Sequence, residues 1–176
     1  IVNRKGLERA KEIGADTVNV VISPHETFNR KNQNITFQEA KEFYEDVARE
    51  TDINRLYISC AFSPEVTRES VLECVRWGKN IANSIVLCDT DSTATSEQVA
   101  SLCKDALDIA ENLCVHFHVS DSVTQCMNAA YDAGVRVFDS SIGGLGGCVS
   151  LPTAEANIAT EILVMWAMAN DIPIKQ

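Results

Sequence analysis

An order of one apolar strand followed by one helix repeats through almost the whole chain. The predicted strands are 17–23, 55–62, 84–88, 113–118 and 135–138. The predicted helices are 3–13, 36–50, 68–80, 95–111, 121–133 and 153–170. Parallel strands need crossover connections and are buried on both faces, so this pattern indicates an α/β fold with a parallel sheet covered by helices. Both an open doubly wound sheet and part of a (β/α)8 barrel fit the order.

The composition is that of a globular protein and excludes two classes of partner. Of the 176 residues, 45% are hydrophobic and 23% are charged, which suits a single domain over 1–176. A net charge of −10 lacks the positive field that nucleic acids and anionic membrane surfaces attract. No apolar run reaches the roughly 18 residues that a membrane span needs. Small molecules are therefore the expected partners.

The cysteines and the first residue bear on the protein's environment. Seven cysteines are scattered without a Cys-x-x-Cys pair, which argues against a disulfide framework and for a reducing compartment. The chain begins at Ile1 rather than Met, and no targeting segment is visible. We therefore expect the chain to be a part of a longer polypeptide.

A glycine-rich stretch follows the last predicted strand, from Asp139 to Ser150. It has four glycines around Leu145, and Cys148 follows at once. Each glycine destabilises a helix by about 1 kcal/mol relative to alanine, so the stretch is predicted to be a loop. A loop that carries a thiol after a buried strand suggests a lid over a site. The alternative is a glycine-rich turn with an incidental cysteine.

Polar side chains collect at the carboxyl ends of the predicted strands. They are Ser59, Cys60, Asp89, Thr90, His116, His118, Asp139 and Ser140. Parallel α/β folds carry their chemistry at this edge, so we predict that it is the active face.

Two histidines at strand spacing suggest a metal site. Residues at i and i+2 of a strand share a face, so His116 and His118 would present two imidazoles side by side. Two neutral imidazoles with an oxygen donor can bind a divalent cation. Zinc is the usual first choice, but carboxylate or amide oxygens make Mg²⁺ or Mn²⁺ equally possible. The alternative is a structural role for both rings.

Other candidates keep more than one interpretation. Cys148 could be a nucleophile, a general acid or base, or a small buried group. Asp89 and Asp91 could ligate a metal or act as bases, although Asp-Thr-Asp-Ser is also typical of a turn.

A polar loop is predicted at 25–34, and it contains Arg30 and Lys31. These two cations could simply be solvated at the surface. The less favoured alternative is contact with a phosphate group.

The motifs His116-Phe-His118 and Ser141-Ile-Gly-Gly-Leu-Gly-Gly-Cys148 resemble those of 3-hydroxy-3-methylglutaryl-CoA (HMG-CoA) lyase, a metallolyase family of the DRE-TIM group. The segments 28–32, 57–61 and 157–161 are similar to further motifs of the family. The resemblance implies a TIM barrel of the pyruvate carboxyltransferase/HMGL-like kind. The chain would hold only its last five β/α units, as an incomplete barrel.

The resemblance also implies residue roles. His116, His118 and Asn157 would ligate Mg²⁺ or Mn²⁺. Cys148 would help to protonate the acetyl-CoA product from a mobile loop, and Asp89 would lie in the active site.

Two further groups of residues follow from the resemblance. Arg30, Lys31 and Asn32 would lie near CoA. Gly144, Gly146 and Gly147 would form the catalytic loop.

The implied reaction is retro-Claisen cleavage of HMG-CoA to acetyl-CoA and acetoacetate, as in leucine degradation and ketogenesis. The expected partners are an acyl-CoA substrate and a second copy of the chain, with no nucleic acid and no membrane. The expected compartment is the mitochondrial matrix in a eukaryote and the cytoplasm otherwise.

Several positions depart from the family pattern. Val119 replaces an aspartate, and Val149 and Ser150 replace a proline and an aromatic residue. The glycines expected after Asp89-Thr90 and the upstream Arg-Asp motif are absent from the chain. Two alternatives therefore stay open: another DRE-TIM acyl-CoA synthase or aldolase, and a catalytically inactive homologue.

Overall fold

Five parallel strands form one sheet, and their order in the sheet is their order in the chain. The computed structural model describes residues 1–148 and 155–174. The strands are β1 (Thr17–Ile22), β2 (Asp52–Ile58), β3 (Ala82–Asp89), β4 (Leu113–Phe117) and β5 (Val137–Asp139). A doubly wound sheet reverses its strand order at a switch point, whereas a barrel wall does not. The order therefore selects the barrel wall of the two predicted folds.

Seven α-helices accompany the strands within the described ranges. They are α1 (Arg4–Glu12), α2 (Glu26–Gln33), α3 (Phe37–Glu50), α4 (Arg68–Gly78), α5 (Ser96–Ile109), α6 (Val123–Ala133) and α7 (Thr160–Ala169). None of these helices is long and apolar enough to cross a membrane.

Local capping signals fix several helix ends. The Thr-x-x-Glu spacing of Thr36 and Glu39 predicts a capping box, and the two residues form it at the start of α3. Thr95 forms a second capping box with Gln98 at α5. Gly134 ends α6 in the left-handed conformation, with φ of 114°. These boundaries are where the sequence predicts them.

The predicted polar loop at 25–34 is wrong, because α2 occupies it. The Nδ1 atom of His25 accepts a hydrogen bond from the backbone N of Phe28 and caps the helix. Phe28 and Asn29 are buried, and the Asn29 amide exchanges two hydrogen bonds with the backbone of Ser23. These hydrogen bonds to the end of β1 stabilise α2, which its polar sequence does not predict.

Two other boundaries need correction. The last helix begins at Thr160; Thr153, its predicted start, lies outside the described residues, and 155–159 is not helical. There, Asn157 bridges His118 and Ala159 bridges Ser141. Strand β2 ends before the predicted 59–62, where Cys60 adopts a positive φ of 58°.

The strands alternate between two faces. Side chains toward the helices form the main core and include Val20, Ile22, Leu56, Ile58, Ile85, Leu87, Val115 and Phe117. Val86, Cys88 and Cys114 form a smaller apolar cluster on the inner face, with Tyr57 against it. The inner face leads to the carboxyl ends of the strands, where the candidate site lies.

Candidate functional site

A cavity of about 300 Å³ lies at the carboxyl ends of the strands. Its lining residues come from the strand ends, α2, the glycine-rich loop and the segment before α7: Val21, Phe28, Asn32, Tyr57, Ser59, Cys88, Thr90, His116, His118, Gly147, Cys148 and Asn157. The predicted histidine pair and the predicted loop cysteine therefore line the same cavity.

The two histidines lie side by side on the inner face, with ring centroids 5.2 Å apart. Burial lowers the pKa of His118 to about 4, helped by His116. Burial also lowers the pKa of His116, although Asp139 opposes that shift. Within the described residues, the Nδ1 atoms of both rings are buried without a hydrogen-bond partner. Both rings are thus neutral near pH 7 and keep a lone pair for a ligand.

Asn157 lies against this pair. Its backbone bridges His118, and its side chain lies beside the ring of His116, where it opposes the lowering of that ring's pKa. Its Nδ2 donates to the carbonyl oxygen of Leu145 over 2.9 Å. The amide oxygen is the group that remains to serve as an oxygen donor. The structure thus brings together the three residues that the resemblance implies as ligands, while their role as ligands stays a prediction.

Carboxylates do not join this group in the part of the chain that the structure describes. No group of three or more His, Cys, Asp and Glu side chains that could hold a metal ion is found within 1–148 and 155–174. The donor set there consists of two imidazole nitrogens and one amide oxygen.

The glycine-rich loop packs closely on Asn157. Gly144 and Gly146 have φ of +68° and +100°, a region that favours glycine. A Cβ atom on Gly146 would lie 2.7 Å from Nδ2 of Asn157, and one on Gly144 would lie 2.9 Å from its backbone oxygen. The Ser141 hydroxyl donates to the same Leu145 carbonyl over 2.7 Å. Only glycine allows so close an approach at these two positions. The loop then continues to Cys148, which lies on the cavity wall.

A second polar cluster, which sequence reasoning missed as a unit, borders the histidines. Asp139 forms an ion pair with Arg55, and its Oδ2 accepts a hydrogen bond from the Tyr57 hydroxyl over 2.7 Å. Burial, aided by the Asp139 hydrogen bond, raises the pKa of Tyr57 to about 12. The strand-end pattern singled out Asp139, and strand alternation could have placed Arg55 and Tyr57 on the inner face with Ser59.

The structure does not bring Asp89 to the cavity wall. Its Oδ1 accepts hydrogen bonds from the backbone N atoms of Thr93 and Ala94, at 3.0 and 3.1 Å. Burial raises the pKa of Asp89 to about 6. The geometry matches the turn interpretation of this aspartate, and the neighbouring Thr90 lines the cavity instead.

The three residues expected near CoA separate on α2. Asn32 lines the cavity. Lys31 lines a neighbouring groove, and Arg30 pairs with Glu26 at the surface over 3.1 Å. Contact of these residues with CoA stays a prediction.

Comparison with curated proteins finds relatives among acyl-CoA lyases. The chain is 35% identical over 180 residues to the hydroxymethylglutaryl-CoA lyase of Pseudomonas mevalonii, and the alignment covers 93% of this chain and 58% of that protein. It is 33% identical over 179 residues to the (R)-citramalyl-CoA lyase of Chloroflexus aurantiacus, covering 93% and 56%. No protein-family model matches the chain.

Solved structures give the same picture. An HMG-CoA lyase from Acinetobacter baumannii in complex with coenzyme A and 3-methylmalate superposes with a TM-score of 0.89 at 31% identity, covering 98% of this chain and 60% of that one. The Bacillus subtilis HMG-CoA lyase gives 0.84 at 30% identity, covering 98% and 62%. These neighbours are TIM barrels, so the sheet corresponds to part of a barrel wall. The chain spans about three fifths of their length.

Proposed function

We propose that this chain is part of a hydroxymethylglutaryl-CoA lyase and that the whole protein cleaves HMG-CoA to acetyl-CoA and acetoacetate. The observation that carries the proposal is the placement of His116, His118, Asn157 and Cys148 around one cavity. Because the chain spans about three fifths of its relatives, the activity is inferred for the whole protein from this part of it.

The residues present fit a divalent cation, Mg²⁺ or Mn²⁺. The supporting observation is the pair of adjacent imidazoles on the cavity wall beside Asn157, because each ring that burial keeps neutral retains one nitrogen lone pair for the ion. His116, His118 and the amide oxygen of Asn157 would hold the ion. A bound cation would supply Lewis-acid polarisation of the hydroxyl and carboxylate oxygens of the substrate.

One proton transfer of the reaction can be assigned to a residue of this chain. Breaking the C–C bond of the 3-hydroxyacyl group leaves its electron pair on the acetyl-CoA carbon as a thioester enolate. Cys148, on the cavity wall, would donate its thiol proton to that carbon. No carboxylate lines the cavity in the described part of the chain. The base that removes the proton of the substrate hydroxyl is therefore assigned to none of the described residues.

The departure at Val119 changes a side chain but keeps a backbone contact. The backbone N of Val119 donates to the carbonyl oxygen of Ala156 over 2.9 Å, which holds the segment that carries Asn157. Val149 and Ser150 lie outside the described residues. The inactive homologue is therefore not favoured by the geometry at Val119. The loop ending in Gly-Leu-Gly-Gly-Cys148 likewise favours a lyase over a DRE-TIM synthase or aldolase.

The test is acetoacetate release from HMG-CoA by the purified full-length protein, with Mn²⁺ or Mg²⁺ supplied and citramalyl-CoA as the competing substrate. We expect HMG-CoA to be cleaved faster. Cys148→Ala should lower turnover by about 10²-fold or more, typical of a lost acid, with Mn²⁺ affinity unchanged. Preference for citramalyl-CoA would reassign the substrate, and no cleavage of either would favour the inactive homologue.

The proposed partners are an acyl-CoA and a second copy of the protein. The relatives named in animals include a mitochondrial lyase of Rattus norvegicus and a cytoplasmic one of Danio rerio. We keep the mitochondrial matrix as the proposed compartment in a eukaryote and the cytoplasm otherwise. Light scattering of the full-length protein should give the mass of a dimer, and the mass of one chain would remove the dimer from the proposal.

A further inference from the structure

We propose that Asp139 is a positioning residue that fixes the ring of His116 in the orientation needed to bind the cation. The inference rests on the proposed metal role of His116. Asp139 itself would touch neither the cation nor the substrate. It would act through His116, while its neighbours Tyr57 and Arg55 would hold the carboxylate in place.

Strand pairing places Asp139 beside His116. The two residues are register partners on β5 and β4, and both side chains lie on the inner face. The Asp139 carboxylate is largely buried, with 16% of its side chain exposed. Its position is therefore set by the backbone ladder, and its charge is held close to the imidazole.

Donors from β2 fix the carboxylate from the opposite side. Arg55 pairs with its Oδ1, and Tyr57 donates to its Oδ2 over 2.7 Å. In a flat sheet β2 and β5 would lie about 14 Å apart, three strand spacings of about 4.8 Å. The contacts form because the sheet is curved, so that β2 faces β5 across the concave side. The small side chains of Val86 and Cys114 lie on this side and leave room for the long ones.

The geometry at His116 shows what this carboxylate can do. Nδ1 of His116 has no hydrogen-bond partner within the described residues and lies 3.8 Å from Oδ2 of Asp139. A carboxylate beside Nδ1 favours the tautomer with its proton there. Nε2 then keeps the lone pair of the ring for the cation.

The experiment is a titration of the full-length protein with Mn²⁺ alone, followed by electron paramagnetic resonance. Asp139→Asn keeps the size of the side chain and removes its charge. We expect Mn²⁺ to bind about 10- to 100-fold more weakly, the loss typical of outer-shell partners of metal ligands. Asp105→Asn is the matched control, since that exposed aspartate also pairs with an arginine, Arg68, far from the cavity.

A double-mutant cycle separates positioning from a general structural role. In a His116→Ala background, Asp139→Asn should weaken Mn²⁺ binding no further, because the ring that it orients is gone. Tyr57→Phe, which removes one donor to the carboxylate, should give a smaller loss and serves if Asp139→Asn does not fold.

Three results would overturn the inference in distinguishable ways. Mn²⁺ binding by Asp139→Asn within twofold of wild type would remove Asp139 alone and leave the proposed function standing. An undiminished effect of Asp139→Asn in the His116→Ala background would make its role structural. Absence of Mn²⁺ binding by the wild-type protein would overturn both this inference and the proposed metal site.

Discussion

The helix-facing side of the sheet is closed by apolar side chains, whereas the inner side is polar and partly open. Leu56, Ile58 and Leu87 are completely buried on the first side. On the second, Arg55 and Tyr57 lie on the same strand as Leu56 and Ile58 but engage Asp139. Alternate residues of one strand point to opposite faces, so the position of a residue in this alternation decides whether its side chain packs in the core or faces the candidate site. Each prediction below tests whether that division holds.

The largest effect is expected on the inner side, from His118→Ala. Turnover should fall by about 10³-fold or more, because Lewis-acid stabilisation is worth several kcal/mol and each 1.4 kcal/mol is a factor of ten. The free energy of unfolding without metal should fall less than in Leu87→Ala below, because Nδ1 of His118 has no hydrogen-bond partner to lose in the described structure. Steady-state kinetics and urea unfolding measure the two effects. A large loss of stability with normal turnover would reverse the assignment of this face.

The complementary change on the helix-facing side is Leu87→Ala. The side chain is completely buried, so its truncation should destabilise the protein by about 2–5 kcal/mol. Mn²⁺ affinity of the folded protein should stay as in wild type. Urea unfolding and an Mn²⁺ titration at low temperature check both statements. Weaker Mn²⁺ binding by the folded variant would show that the two faces are coupled.

Asp89 is a polar exception on the helix-facing side, and pH tests its role there. Its pKa of about 6 in the folded protein lies above the unfolded value of about 3.9, so the folded state binds more protons between these limits. Stability should therefore fall as pH rises from about 4 to 6, by up to about 3 kcal/mol. Asp89→Asn keeps an acceptor for the amides of Thr93 and Ala94 and should flatten this dependence. Thermal unfolding against pH measures it, and an unchanged slope would refute the assignment.

The smallest effect is expected in the loop over the inner side, from Gly146→Ala. The new Cβ would meet Nδ2 of Asn157 at 2.7 Å and disturb its hydrogen bond to Leu145. A net loss of about 1 kcal/mol corresponds to a three- to tenfold lower turnover. Gly14→Ala is the control, because Gly14 also has a positive φ, +71°, but no neighbouring atom within 4 Å of the new Cβ. An equal loss of turnover in both variants would exclude the contact with Asn157 as the cause.

The sequence by itself determined most elements and part of the site. The capping pair at Thr36 and the alternation of strands and helices are local patterns, and the structure confirms them. A cap at Ser96 or Thr95 was equally readable from the sequence, and the structure selects Thr95. The pair His116 and His118 was predictable for the same reason, because residues two apart on a strand share a face. Such signals need only the period of the backbone.

Tertiary structure decided the rest. Helix α2 depends on Asn29 binding the end of β1, and Asp89 turns to its own loop rather than to the cavity. Arg55 and Tyr57 reach Asp139 from 84 and 82 residues away. Contacts at that separation exist only once the sheet has curved and brought β2 opposite β5. No local pattern encodes that curvature, and therefore the surroundings of the histidines became visible only in the folded chain.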